Sequence, residues 1–245
     1  MNNVVLAFIL TTLAGLSTMI GSFLIFFKSN EKILISSLAF AAGVMISISI
    51  TDLLPEAFKL LNNFNLFLRI IYILIFICIG VIISMGIDKN IKINKGNNLY
   101  RVGIISMLAI IVHNIPEGIA TFMATNSSVK LGLSLAIAIA LHNIPEGISI
   151  SIPIYHATKS RGKALLYTFI SGISELFGAI ITYIFLSNFI NNTVLGFLFS
   201  IIAGIMIQIS IYELIPTSYS YKNKKLFILF ITIGVVFMII NSFIF

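Results

Sequence analysis

Charge is what this chain has least of. Only 9% of its 245 residues are Asp, Glu, Lys or Arg, while 59% are apolar. An ordinary soluble domain is about a quarter charged and about half apolar. That scarcity excludes a soluble globular enzyme and a disordered tail. Cysteine is nearly absent too. Cys78 stands alone in an apolar run, which excludes a disulfide scaffold and argues against thiolate metal sites. Tryptophan is missing, and the many phenylalanines and tyrosines read as lipid-facing and packing bulk. A mean hydropathy of +1.11 has to be met by lipid. A spanning helix with its loop takes roughly 25 to 30 residues, so the length allows about eight spans.

Eight apolar runs lie at roughly 4–27, 33–55, 66–87, 101–124, 130–155, 162–187, 194–218 and 225–244. Each is long enough to cross about 30 Å of hydrocarbon. The expected fold is an all-α integral membrane protein of eight transmembrane helices in a single domain, 1–245. A polar, lysine-bearing linker is expected at 88–100. Met1-Asn2-Asn3 carries no basic side chain and the first run is long, so a cleavable signal peptide is not expected. The net charge of +7 reflects lysine in membrane loops rather than nucleic-acid binding. Twelve of the fifteen basic residues fall in the odd-numbered loops and their helix ends. The positive-inside rule then places those loops in the cytoplasm and both termini outside, in a multi-pass protein of a bacterial cytoplasmic membrane.

The chemistry sits in a repeat. His113-Asn114-Ile115-Pro116-Glu117-Gly118 recurs as His142-Asn143-Ile144-Pro145-Glu146-Gly147, 29 positions on (142 − 113). Each histidine is 12 residues into its span, from opposite sides (113 − 101 and 142 − 130). That depth is roughly 18 Å at 1.5 Å per residue, near the midplane. Glu175 of span six reaches the same depth. His and Glu at i, i+4 share a helix face. Proline at i+3 deprives the carbonyls of Val112 and Leu141 of a donor, so a broken helix lining a cavity is expected.

One charge at the bilayer centre costs about 2.5–3.5 kcal/mol, and three carboxylates on the order of 10 kcal/mol. A divalent cation removes most of that penalty. Imidazole plus carboxylate suits zinc, iron, manganese, cobalt or nickel better than magnesium or calcium. The bland alternative is a pair of structural His–Glu hydrogen bonds between helices. Intramembrane ionisable groups are functional by default, and two identical pairs with Glu175 weigh against it.

Two weaker elements flank the repeat. Span two ends Asp52-Leu53-Leu54-Pro55-Glu56, and span seven ends Glu213-Leu214-Ile215-Pro216. Both read acid–Leu–apolar–Pro at opposite membrane rims, as an inverted repeat would place them. Asp52, Glu56 and Glu213 are either intake and release acids on a cation path or plain helix-end acids. Gln208 lines a path or bonds across helices. His156 reads as a solvated interfacial histidine.

At its paired hexapeptides the chain resembles the ZIP (Zrt-, Irt-like) family of divalent metal transporters, in particular its bacterial branch of broad metal range. The resemblance extends over the eight spans, the Asp52–Glu56 segment and Ser171-Gly172-Ile173-Ser174-Glu175. It implies one metal position on His113, Glu117, His142 and Glu146. It implies a second, adjacent position on Asn114, Asn143, Glu175 and a bridging Glu146. The metal is cargo, zinc with iron, manganese, cobalt and cadmium in range, moved into the cytoplasm. There is no prosthetic group. The partners implied are divalent metal ions, the lipid bilayer and a second copy as a homodimer. The picture favoured for the family has spans one, four, five and six sliding against two, three, seven and eight. Leu176 stands where relatives often have proline, and the 88–100 segment has no histidine.

The competing class is an intramembrane metal-dependent hydrolase, which needs a metal-activated water with an acid–base residue beside it. The His-Glu-x-x-His pattern is absent, and an inverted repeat is not required by hydrolysis. A cation pathway without a transition metal leaves the histidines and asparagines unexplained.

Overall fold

The computed structural model describes residues 3–27, 30–90, 98–186 and 191–244. Among the described residues, eight helices are long and apolar enough to span a membrane: α1 Asn3–Phe26, α2 Glu31–Leu60, α3 Leu66–Lys89, α4 Asn98–Ser127, α5 Val129–Thr158, α6 Arg161–Phe185, α7 Asn192–Ser220 and α8 Lys224–Ser242. Hydrocarbon offers no partner for a free N–H, so helix ends need capping. Asn30, Asn65, Ser128, Ser160, Asn191 and Asn223 each accept a hydrogen bond from the backbone N–H three residues on. Such a cap is worth about 1 kcal/mol.

The helices depart from the expected runs where proline acts. α2 continues past Pro55 to Leu60. It does so through a wide π-helical turn, Ser49–Leu53, after which Pro55 sits in the first turn of the next α segment. α7 repeats this with Ser210–Leu214 and Pro216. Proline has no N–H, so the carbonyl four residues earlier loses its α-helical donor and the turn widens. The expected linker at 88–100 is partly helical: a helix runs through Asn90 and α4 begins at Asn98, with 91–97 outside the described residues. Helix breaks were expected at Pro116 and Pro145, yet α4 and α5 run continuously through both. The breaks lie in α1 at Ser17 and in α6 at Ile173, beside the hexapeptides rather than in them.

Glycine close approach pairs the helices, and helix packing gathers the pairs into two units of four. A Cβ on Gly118 would collide with the backbone carbonyl of Glu175, and one on Gly147 with that of Thr18. Gly21 and Gly178 likewise abut the carbonyls of Ile144 and Ile115. These contacts bind α4 to α6 and α1 to α5 backbone to backbone, and Gly15 against the carbonyl of Gly172 joins α1 to α6. Gly43 and Gly234 join α2 to α8, while Gly80 and Gly204 join α3 to α7. Small residues allow such approach in lipid, where dispersion packing replaces the hydrophobic drive. The partners repeat in inverted order: what α1 does to α5, α6 does to α4, and what α2 does to α8, α7 does to α3. Between the units, α2 packs on α5 and α7 on α4. There the fill is apolar side chains in one buried cluster that includes Ala41, Met45, Ile148, Ile152 and Met206.

Candidate metal centre

The hexapeptides bring two imidazoles and two carboxylates together between α4 and α5. Glu117 Oε1 lies 3.0 Å from His142 Nε2 and 3.2 Å from His113 Nε2. His113 Nε2 is 2.9 Å from Glu146 Oε1. The ligand atoms of His113, His142 and Glu146 fall within 4.8 Å of one another. Every one of these side chains is buried, His142 the least so at 5% exposed.

A second layer adjoins the first. The Asn143 amide donates to Glu175 Oε1 and, at 3.0 Å, to the carbonyl of Ala14. The Asn114 amide donates to the carbonyl of Ser171 at 3.1 Å. Asn143 and Asn114 thus do the same thing on opposite sides of the repeat. Each reaches the carbonyl just ahead of a helix break, at Ser17 or at Ile173. Glu175 caps one side only. Its counterpart on the other side is Thr18, whose hydroxyl turns back to Gly15 O at 2.6 Å.

The chemistry of this donor set is one-sided. Among the described residues, six buried acceptor oxygens here find no hydrogen-bond donor: Glu117 Oε2, both Glu146 carboxylate oxygens, Glu175 Oε2, and the amide oxygens of Asn114 and Asn143. The close approach of His113 Nε2 to Glu146 lacks hydrogen-bond alignment, since neither atom finds a bonded partner. Unpaired buried acceptors cost about 1–3 kcal/mol each. A divalent cation satisfies many converging acceptors together, and imidazole with carboxylate fits a transition metal.

Two cavities of about 660 Å³ each approach from opposite ends. One is lined by Asp52, Glu56, Asn241 and Ser242 at its mouth and reaches Glu117 and His142. The other is lined by Asp88, Arg101, Gln208, Tyr212 and Glu213 and touches none of the hexapeptide residues. Asp52 accepts a hydrogen bond from Ser242 at 2.7 Å, and Glu56 pairs with Lys59 at 3.1 Å. Gln208 accepts from Ser84, a bond across helices that leaves it at the rim of the second cavity. Glu213 is 3.5 Å from Arg101, which also pairs with Asp88. So Asp52 and Glu56 share a cavity with the centre, whereas Gln208 and Glu213 do not.

Sequence reasoning missed the contributions of α1. Ser17 spans the break there, donating to Ala14 O at 2.6 Å and to Ala140 O at 2.9 Å. The signal was present as Gly15-Leu16-Ser17, which matches Gly172-Ile173-Ser174 ahead of Glu175.

The family model described as ZIP zinc transporter matches residues 94–242. The chain is 41% identical to the zinc transporter ZupT of Clostridium perfringens, over 100% of this chain and 98% of the relative. It is 40% identical to the ZupT of Streptococcus mutans, covering 98% and 97% of the two chains. The Campylobacter jejuni ZupT is also 40% identical, over 89% of each chain.

The chain belongs to the ZIP family.

As a ZIP protein it is a multi-pass membrane transporter of divalent metal and not an enzyme, which removes the hydrolase reading. The family match covers α4 to α8 and so both hexapeptides. The inverted contacts of α1 and α6 and of α2 and α7 are the repeat of this ZIP chain, expressed in backbone packing.

Proposed function

We propose that this ZIP transporter carries zinc, with iron, manganese, cobalt and cadmium in range, into the cytoplasm of a bacterial cell as a single transporter domain. In this reading the metal is held first by His113, Glu117, His142 and Glu146. A second ion is held beside it by Asn114, Asn143 and Glu175, with Glu146 bridging. Neutral imidazole and carboxylate bind a soft-to-borderline divalent ion, and the buried amides supply hard oxygen at the second position. Zinc leads because it is what the curated relatives are named for. The termini are extracytoplasmic by the lysine distribution. The family resemblance supplies the homodimer.

The observation that carries this reading is access from one side. The cavity at the Asp52 end reaches His142 and Glu117, while the cavity at the Glu213 end stops short. A transporter held open to one side must close that side to deliver its cargo to the other. The backbone-to-backbone joints all lie within the unit α1–α4–α5–α6 or within the unit α2–α3–α7–α8, and apolar side chains meet between them. That division supports a sliding motion of the first unit, which holds the whole centre, against the second. Asp52 and Glu56 then draw metal in, and Gln208 and Glu213 line its release.

The test is metal influx into liposomes that hold purified protein and a trapped metal-sensitive dye. Glu146→Ala, which removes the bridging carboxylate, is expected to lower influx at least 100-fold in folded protein. Influx in Glu146→Ala equal to the parent would remove the centre from the path. No influx of any divalent metal in the parent would overturn the function.

A further inference from the structure

A partly buried ion-pair bridge joins the two units at the Glu213 end. Arg101 opens the second turn of α4, in the unit that holds the metal centre. Its guanidinium pairs with Asp88 at the end of α3 and with Glu213 of α7 at 3.5 Å, both in the other unit. The other long-range polar contacts given above, Ser84 with Gln208, Ser242 with Asp52, and Asn114 and Asn143 with their carbonyls, each stay inside one unit. The Arg101 bridge sits at the end of the bundle opposite the cavity that reaches the centre. At the Asp52 end no such bridge is seen among the described residues: Asp52 and Glu56 pair within their own unit.

We propose that Arg101, Asp88 and Glu213 form a latch that holds the protein in the conformation whose metal centre faces the Asp52 cavity. This rests on the sliding reading of the two units. A guanidinium presents a rigid fork of donors that two carboxylates can share. The side chain of Glu213 is 6% exposed and those of Asp88 and Arg101 about 30% or less. Pulling the arginine away therefore leaves a poorly solvated carboxylate without its counter-charge, which is the costly way to break a pair. Arg101 is anchored to α4, so it moves with the centre. A displacement of about one helical turn, roughly 5.4 Å, takes it out of reach of Glu213. The same displacement uncovers Asp88 and Glu213 at the moment the cation is delivered to their cavity. The latch thus opposes motion in an empty protein and releases its two acids when motion occurs.

Two reporter substitutions read the equilibrium in a Cys78→Ala background, in nanodiscs, with a water-soluble maleimide. Ala138→Cys lines the Asp52 cavity and reports the conformation seen here. Ala109→Cys lies in the apolar cluster, 1% exposed, and reports the other conformation. Arg101→Gln and, separately, Glu213→Gln are expected to slow labelling of Ala138→Cys at least twofold and to speed that of Ala109→Cys at least fivefold. A merely structural role would lower thermal stability without this reciprocal shift. If Ala109→Cys labels at a finite rate in the parent, and neither latch variant changes either rate, the latch is overturned and the sliding reading stands. If Ala109→Cys stays unlabelled in the parent and in both variants, both fall.

Discussion

Asp52 in α2 and Glu213 in α7 hold equivalent places in the two halves of the repeat. Each lies in a π-helical turn with a proline three residues on. Their surroundings differ. Asp52 bonds Ser242 and opens on a cavity that runs to His142. Glu213 is pinned by Arg101 beside a cavity that ends before the centre. Equivalent backbone with unequal access is what an inverted repeat shows in a state open to one side. Under the proposed sliding motion the two halves would exchange roles. Local geometry follows the repeat, and access follows the conformation.

The backbone equivalence is broken most severely at the hexapeptide glycines. Gly118→Ala and Gly147→Ala each drive a methyl into a backbone carbonyl. Neither partner can yield by changing rotamer, so each should cost about 3 kcal/mol, the upper end for overpacking. Thermal unfolding should show similar losses for the two, with Gly86→Ala, where a Cβ meets nothing within 4 Å, as the unaffected control. A loss at one hexapeptide alone would mean that the halves are not equivalent.

The unequal access can be sharpened with pH. Metal ligands must be deprotonated to bind. Protons therefore compete with the metal for its ligands, and uptake should drop about tenfold between pH 7.5 and pH 5. The loss should follow the pH on the Asp52 side of the liposome membrane rather than on the Glu213 side. Uptake that ignores pH on both sides counts against His113 and His142 as ligands.

A smaller effect belongs to the mouth itself. Asp52→Asn removes a carboxylate from the open cavity and should weaken apparent metal affinity about threefold at low salt. The difference should fade above about 0.15 M, as screened steering does. An effect that persists undiminished in high salt would make Asp52 a direct ligand.

Much of this molecule is readable in its residues. Scarce charge and long apolar runs give eight spans, because lipid accepts nothing else. The doubled hexapeptide, with Glu175 at equal depth, marks the centre by helical rise alone. The helix breaks were not readable from proline. Pro116 and Pro145 were the obvious breakers, yet α4 and α5 run on through both, and the chain breaks at Ser17 and Ile173. Those positions look ordinary until the Gly15 and Gly172 matches are aligned. Gln208 and Ser84 meet only because α3 and α7 pack through Gly80 and Gly204.

The sequence alone determined the number of spans, the chemistry of the donors and their depth, since hydrophobicity, ligand type and 1.5 Å per residue are local properties. Tertiary structure decided which helices pack together, which acid shares a cavity with the centre and which one Arg101 holds. Those outcomes depend on how glycine faces and side-chain charges from distant parts of the chain meet, and no local rule of residue order contains that.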